Sequence, residues 1–184
     1  MNIFVGCSSR DVTDNVKWSR YCTATLEVTK FITAHKHTLV FGGCARGLMG
    51  LMYKCMLLNK ANIIVAIPQA YINDAEELFY SNLLFDFNTV SERKDWIFKN
   101  TSMHIFLPGG IGTIDELFSS IEAKRCGEHN SPIIIINEQG YFNDVLHVLA
   151  RVYDEGFADE KDAKLYTVVN STDEIVPTLE KSLS

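Results

Sequence analysis

Apolar residues in this chain come in short unbroken runs rather than in long alternations. Seven runs stand out: NIFVG (2–6), TLVFG (38–42), NIIVAI (62–67), LLFDFN (83–88), MHIFL (103–107), PIIII (132–136) and LYTVV (165–169). Runs of four to six apolar residues, rich in Ile, Val and Phe, suit strands buried on both faces, as in a parallel sheet. Between them lie segments with helical spacing, at about 14–36, 47–60, 91–101, 113–126, 141–154 and 172–183. Strand and helix in strict alternation predict an α/β fold: a doubly wound, mainly parallel sheet of about seven strands with helices on both faces. Neither a repeat nor a linker interrupts residues 1–184, so one domain is expected. The stretch 68–82 is the single long connection and reads as a candidate lid or rim.

In open sheets of this kind ligands bind beyond the carboxyl ends of the strands. The informative residues are therefore those just after each strand, and four such places carry chemistry: GCSSR (6–10), FGGCARGLMG (41–50), VSERK (90–94) and PGGIGTIDE (108–116).

PGGIGTIDE follows the fifth strand. Its glycines allow a sharp turn and leave no Cβ to hold a ligand off. A helix is expected to begin near Thr113, with Ile114, Leu117, Phe118 and Ile121 on its buried face and Glu116 well off that face. Its first-turn N–H groups and dipole make a site for an anion, phosphate above all. Two roles fit Glu116. Thr113-x-x-Glu116 has the spacing of a capping box, and a carboxylate beside a bound phosphoester also has catalytic use.

FGGCARGLMG is a second junction of strand, glycine and helix. Its spacing is not that of a dinucleotide fingerprint, but two glycine junctions on one sheet edge reinforce each other. In VSERK, Ser91 reads as the N-cap, which places Arg93 and Lys94 in the first helical turn. Cations there oppose the helix dipole, so a partner is expected: Glu92 or Asp95 locally, a ligand phosphate, or Glu116 across the cleft. Ser8 and Ser9 fit either a turn or a hydrogen bond to sugar or phosphate. Trp96 and Ile97 read as core, and so does His104, which sits within a strand.

Composition narrows the partners. The chain carries a net charge of −6 with no basic tail, which disfavours nucleic acid held by phosphate contacts. Its apolar runs are too short to span a bilayer. Five scattered cysteines without a C-x-x-C pair, and five histidines without ligand spacing, point to reduced thiols and to no metal. The chain opens on a strand rather than on a signal core, so a cytoplasmic location is expected.

Taken together the four loops resemble one family. FGGCARGLMG resembles a GGG-x-x-GLMG loop, VSERK an H-E-R-K segment and PGGIGTIDE a PGG-x-GT-x-x-E signature; the likeness runs from GCSSR through GEHNSPIIIINEQGYF (127–142) to EGFA (155–158). These are marks of the Lonely Guy family, the cytokinin riboside 5′-monophosphate phosphoribohydrolases, often labelled lysine decarboxylases. The chain departs from the pattern at Cys44, at Val90 and Ser91, and at Ser102. The resemblance implies a Rossmann-like fold and a homodimer with shared active sites. It also implies hydrolysis of the N-glycosidic bond of a nucleoside 5′-monophosphate, with no cofactor. The catalytic pair falls on Arg93 and Glu116, and the phosphate loop on Gly109, Gly110, Gly112 and Thr113. Ser8, Gly43 and Lys94, on neighbouring loops, complete the candidate substrate-binding set. Arg93 either positions Glu116 or contacts the nucleotide. Residues 68–90 and the dimer partner are expected to select the base. Two rivals remain: a nucleotide or molybdenum-cofactor carrier of the same fold, and a pyridoxal-phosphate decarboxylase, for which Lys94 is the one lysine near the motifs.

Overall fold

The computed structural model describes residues 1–75 and 81–183. All seven predicted runs are strands: β1 (Asn2–Gly6), β2 (Thr38–Phe41), β3 (Ile63–Pro68), β4 (Leu83–Phe87), β5 (Met103–Phe106), β6 (Ile133–Ile136) and β7 (Tyr166–Val169). They form one sheet in the order β4-β3-β2-β1-β5-β6-β7, and every pairing is parallel. Six helices connect and flank them among the described residues: α1 (Asn15–Ala34), α2 (Gly47–Leu58), α3 (Val90–Asn100), α4 (Ile111–Arg125), α5 (Asn143–Asp154) and α6 (Ile175–Lys181).

The continuous apolar runs are explained by two cores, one on each face of the sheet. In β1, Ile3 and Val5 face α1, α2 and α6, where they join Leu39, Phe41, Val28, Met52 and Ile175. Phe4, between them, points to the opposite face and joins Val40, Phe106, Ile97, Leu117 and Leu149 under α3, α4 and α5. Successive strand side chains alternate faces, so a strand covered on both sides needs an apolar residue at every position. The edge strand β4 is the exception, with Leu83 and Leu84 about half exposed.

Strand order fixes where a site can form. From β1 the chain winds outward to β4, then returns through α3 to lay β5 on the other side of β1. The direction of winding reverses between β1 and β5. A crevice opens there beyond the strand ends, because the connections leave to opposite sides. The loops after β1, β2 and β5 all border it. The 68–82 connection begins as a short 3-10 turn, Gln69–Ala75; residues 76–80, a third of the candidate lid, lie outside the described residues. No described helix is long and apolar enough to cross a membrane.

Candidate active site

Main-chain hydrogen bonds stitch three loops into one rim. Ser8 N–H donates to Pro108 O at 3.0 Å, Met49 N–H donates to Ser8 O at 3.1 Å, and Leu107 N–H donates to Gly6 O at 2.9 Å. The ends of β1 and β5 and the start of α2 are therefore held in register without help from side chains.

The glycines of the β5 loop divide into two kinds. A methyl on Gly109 would stand 2.1 Å from Thr113 Oγ1 and 3.0 Å from the Cys7 carbonyl carbon, so this glycine is demanded by packing. Methyls on Gly110 and Gly112 would meet nothing within 4 Å. Packing among the described residues gives no reason for glycine at those two positions. Helix α4 starts at Ile111, with Gly110 as N-cap and no side-chain cap. This corrects the expected start at Thr113. Thr113 is the third helical residue and Glu116 the sixth, so the two do not form a capping box. The capping interaction is on α3 instead: Thr89 Oγ1 accepts from Glu92 N–H at 3.1 Å, and Glu92 accepts from Asn88 N–H at 3.0 Å. The N-cap of α3 is thus Thr89 rather than Ser91, and Arg93 and Lys94 lie beyond its first three residues.

Glu116 is also not off the buried face of α4. That face runs through Thr113, Glu116, Leu117, Ser120 and Ile121, whereas Phe118 is exposed. Polar residues occupy its amino-terminal half because that half overlies the strand ends rather than the core.

Arg93 and Glu116 form an ion pair, Nη2 to Oε1, with both side chains about nine-tenths buried. A strand-end glycine makes room for it: a methyl on Gly6 would stand 3.0 Å from Glu116 Oε2, whereas one on Gly42 would stand 3.6 Å from Arg93 Nη1, an ordinary contact. Burial pushes the Arg93 guanidinium down to about 10, against the pull of Asp115 and Tyr71. Its Nε is buried with no hydrogen-bond partner among the described residues. The pair leaves Glu116 Oε2 facing Gly6 at the end of β1.

The neighbouring residues are placed differently. Lys94 Nζ donates to Asp115 at 2.8 and 2.9 Å and to Ser119 Oγ at 2.9 Å. Ser8 Oγ is engaged in its own turn, donating to Arg10 O at 2.6 Å and accepting from Arg10 N–H at 3.0 Å; Asp14, not a serine, caps α1. Gly43 has φ of 82°, and a methyl there would strike Val65 at 2.6 Å, so it backs onto β3. His104 is fully buried, with Nδ1 2.7 Å from Ser120 Oγ. The five cysteines are free thiols. The described residues contain no group of three or more His, Cys, Asp or Glu side chains arranged to hold a metal. Sequence reasoning passed over Gly6, whose only signal was its place at a strand end. It gave no individual role to Tyr71, within the 68–90 stretch, or to Tyr141, within the 127–142 run.

Comparison with known proteins identifies the family and the fold. Residues 49–179 match the family described as possible lysine decarboxylase. A probable cytokinin riboside 5′-monophosphate phosphoribohydrolase of Oryza sativa subsp. japonica is 30% identical over 162 residues, covering 86% of this chain and 69% of that one. A cytokinin riboside 5′-monophosphate phosphoribohydrolase of Arabidopsis thaliana is 28% identical, covering 87% and 75%. Among solved structures, a molybdenum cofactor carrier protein of Chlamydomonas reinhardtii superposes with a TM-score of 0.69 at 18% identity, covering 99% of this chain and 96% of that one. The molybdenum cofactor binding protein of Rippkaea orientalis gives 0.68 at 12% identity, covering 100% and 97%. These structures share the fold, while the sequence match, over most of the chain, goes further. The chain belongs to the Lonely Guy family of phosphoribohydrolases, the group also described as possible lysine decarboxylases.

Proposed function

We propose that this protein hydrolyses the N-glycosidic bond of a nucleoside 5′-monophosphate, AMP or a cytokinin riboside monophosphate, to free base and ribose 5-phosphate. The observation that carries this reading is the buried Arg93–Glu116 pair beside the uncapped, glycine-flanked start of α4. Cleavage of the bond builds positive charge on C1′ and its ring oxygen. Glu116 stabilises that charge and orients the attacking water. The water adds hydroxide to C1′, its remaining proton reaches the solvent, and the departing base takes up a proton. Arg93 fixes the carboxylate through Oε1 and so aims Oε2, which makes Arg93 a positioning residue. Amides of Gly110, Ile111, Gly112 and Thr113 hold the 5′-phosphate with the helix dipole behind them, and the anchored phosphate fixes the sugar against Glu116. Gly109 shapes the loop, Gly43 and Ser8 support the rim, and Lys94 acts through Asp115.

A homodimer belongs to the same proposal. Val90, Ile111 and Phe118, on α3 and α4 around the site, expose 42%, 89% and 36% of their surface. Covering them with a second copy brings partner residues to the mouth of each site. The decarboxylase reading needs a lysine amine free to form a Schiff base, and the Lys94 ammonium is held by Asp115 and Ser119.

Incubation with AMP and chromatography for adenine tests the proposal. Release of adenine with equimolar ribose 5-phosphate is expected. Tight binding without release favours a carrier. Glu116→Gln that folds and turns over as well as the parent protein rejects the mechanism.

A further inference from the structure

The loop that carries Gly110 is gripped by a residue of the 127–142 run to which the sequence assigned no role. Tyr141 donates its hydroxyl hydrogen to the Gly109 carbonyl. A trans peptide points its C=O and its N–H in opposite directions. Holding the Gly109 oxygen toward Tyr141 therefore turns the Gly110 N–H the other way, away from Tyr141. The preceding peptide is held by the same device, since the Pro108 carbonyl accepts from Ser8 N–H. Two successive peptide planes are thus set by their carbonyls.

Tyr141 is itself firmly placed. Its ring lies edge-on to Tyr21 at 5.9 Å and to Phe142 at 4.9 Å. It follows a turn after β6 in which Gln139 and Gly140 both take left-handed conformations, φ 56° and 67°. A glutamine in that region is strained, and such strain persists where the surroundings impose it, often near functional sites. Here Asn137 imposes it. Its carboxamide donates to Asn143 and to Asn170 at 2.9 Å each and accepts from Phe142 N–H at 2.7 Å. The strained turn delivers Tyr141 from the end of β6 to the loop after β5.

We propose that Tyr141 is a positioning residue that aims the Gly110 amide at the substrate's phosphate by holding the Gly109 carbonyl. This rests on the reading of the β5 loop as the 5′-phosphate site. Tyr141→Phe keeps the ring and its packing and removes only the grip. Titration calorimetry with ribose 5-phosphate should show about 3- to 10-fold weaker binding to Y141F than to the parent protein. Adenosine, which lacks the phosphate, should bind both equally. In amide NMR spectra of the parent protein, the Gly110 resonance should move downfield on adding inorganic phosphate, and by less in Y141F. Equal affinity of both proteins for ribose 5-phosphate, or a Gly110 amide indifferent to phosphate, overturns the inference.

Should Y141F fail to fold, the parent protein decides. A Tyr141 hydroxyl proton protected from exchange beside a phosphate-shifted Gly110 amide supports the inference; an unshifted amide overturns it. The two readings fail separately. Phosphate binding at Gly110 that depends on Tyr141, without base release from AMP, removes the hydrolase and leaves the positioning role. Base release with the same KM in Y141F does the reverse.

Discussion

Two adjacent residues of α3, Arg93 and Lys94, pair with two adjacent residues of α4, Glu116 and Asp115, and the pairs differ in nearly every other respect. The inner pair is almost wholly buried over the ends of β1 and β2. The outer one leaves 47% of the Asp115 side chain exposed. Removing two charges from water is costly, and a buried ion pair is often no more stabilising than apolar residues of the same volume. An exposed pair costs little and contributes little. Stability therefore does not explain the inner pair; under the proposed mechanism the demand is for a fixed, oriented carboxylate. Residue type fits the division of labour. A planar guanidinium holds a carboxylate in one geometry, whereas an ammonium is a point charge on a flexible stem.

The largest effect should come from breaking the inner pair. Glu116→Gln is expected to lower base release by about 100- to 10,000-fold. It also strands the Arg93 charge. Loss of one partner from a buried pair costs about 3–5 kcal/mol, and the amide's retained hydrogen bond places this variant at or below the low end. The double variant Arg93→Met with Glu116→Gln removes the stranded charge. Denaturant unfolding should show it more stable than the single variant, while base release stays lost. Equal stability of the two would mean that Arg93 is not confined as described.

The floor under the pair gives the next effect. Gly6→Ala sets a methyl 3.0 Å from both Glu116 Oε2 and Phe106 Cδ1. Overpacking of this kind costs about 1–3 kcal/mol. A displaced carboxylate should lower kcat about 10- to 100-fold, with KM for AMP less affected. Gly112→Ala is the counterpart. Its methyl meets no protein atom within 4 Å, so thermal stability should hold or rise, while KM for AMP increases. A Gly6→Ala protein with full kcat would separate Glu116 from the chemistry.

A third buried group, on β5 and bonded to the same α4 helix, separates burial from pairing. His104, bonded to Ser120, has no counter-charge, and burial first, then His129 and Lys124, push it down to about 3. Its folded value lies below its unfolded value near 6.5, so the unfolded chain binds the extra proton. Its contribution to stability is complete above pH 6.5 and is lost as pH falls through 6.5 toward 3. Between pH 7 and pH 5 the loss is about 2 kcal/mol. Denaturation midpoints at the two pH values check this, and His104→Gln should flatten the dependence. An unchanged slope in that variant would assign the effect to other groups.

What the sequence made legible follows from the same physics. The inner strands were readable because a doubly covered strand must be apolar at each position, the edge strands β4 and β7 because their short apolar runs recur between helical segments, and the crevice because glycine junctions collect at strand ends. The start of α4 was not, because Gly110 caps it without a side chain and Ile111, its first residue, is 89% exposed. The inner face of α4 was misread for a related reason. Thr113, Glu116 and Ser120 are buried polar residues, and apolar periodicity cannot see them. A capping box was readable by spacing at Thr113 and Glu116, yet the cap lies at Thr89 and Glu92, because spacing does not say where the backbone turns helical. Tyr141 and Gly109 are 32 residues apart, and no local pattern records a contact of that range.

The outer pair supplies the smallest effect and the cleanest contrast. Asp115→Asn keeps the shape and a hydrogen-bond acceptor for Lys94 and removes one exposed charge. The Lys94 ammonium retains the Ser119 hydroxyl, 2.9 Å away. The expected loss is about 0–1 kcal/mol, shrinking further at 1 M salt, where screening reaches to about 3 Å. A loss as large as that of Glu116→Gln, insensitive to salt, would mean that this pair is desolvated like its inner neighbour. The division between a carboxylate kept for chemistry and one kept for the surface would then fail. A small, salt-sensitive loss in Asp115→Asn beside a large, salt-insensitive one in Glu116→Gln would show that one turn of α4 presents two carboxylates to two different dielectric environments.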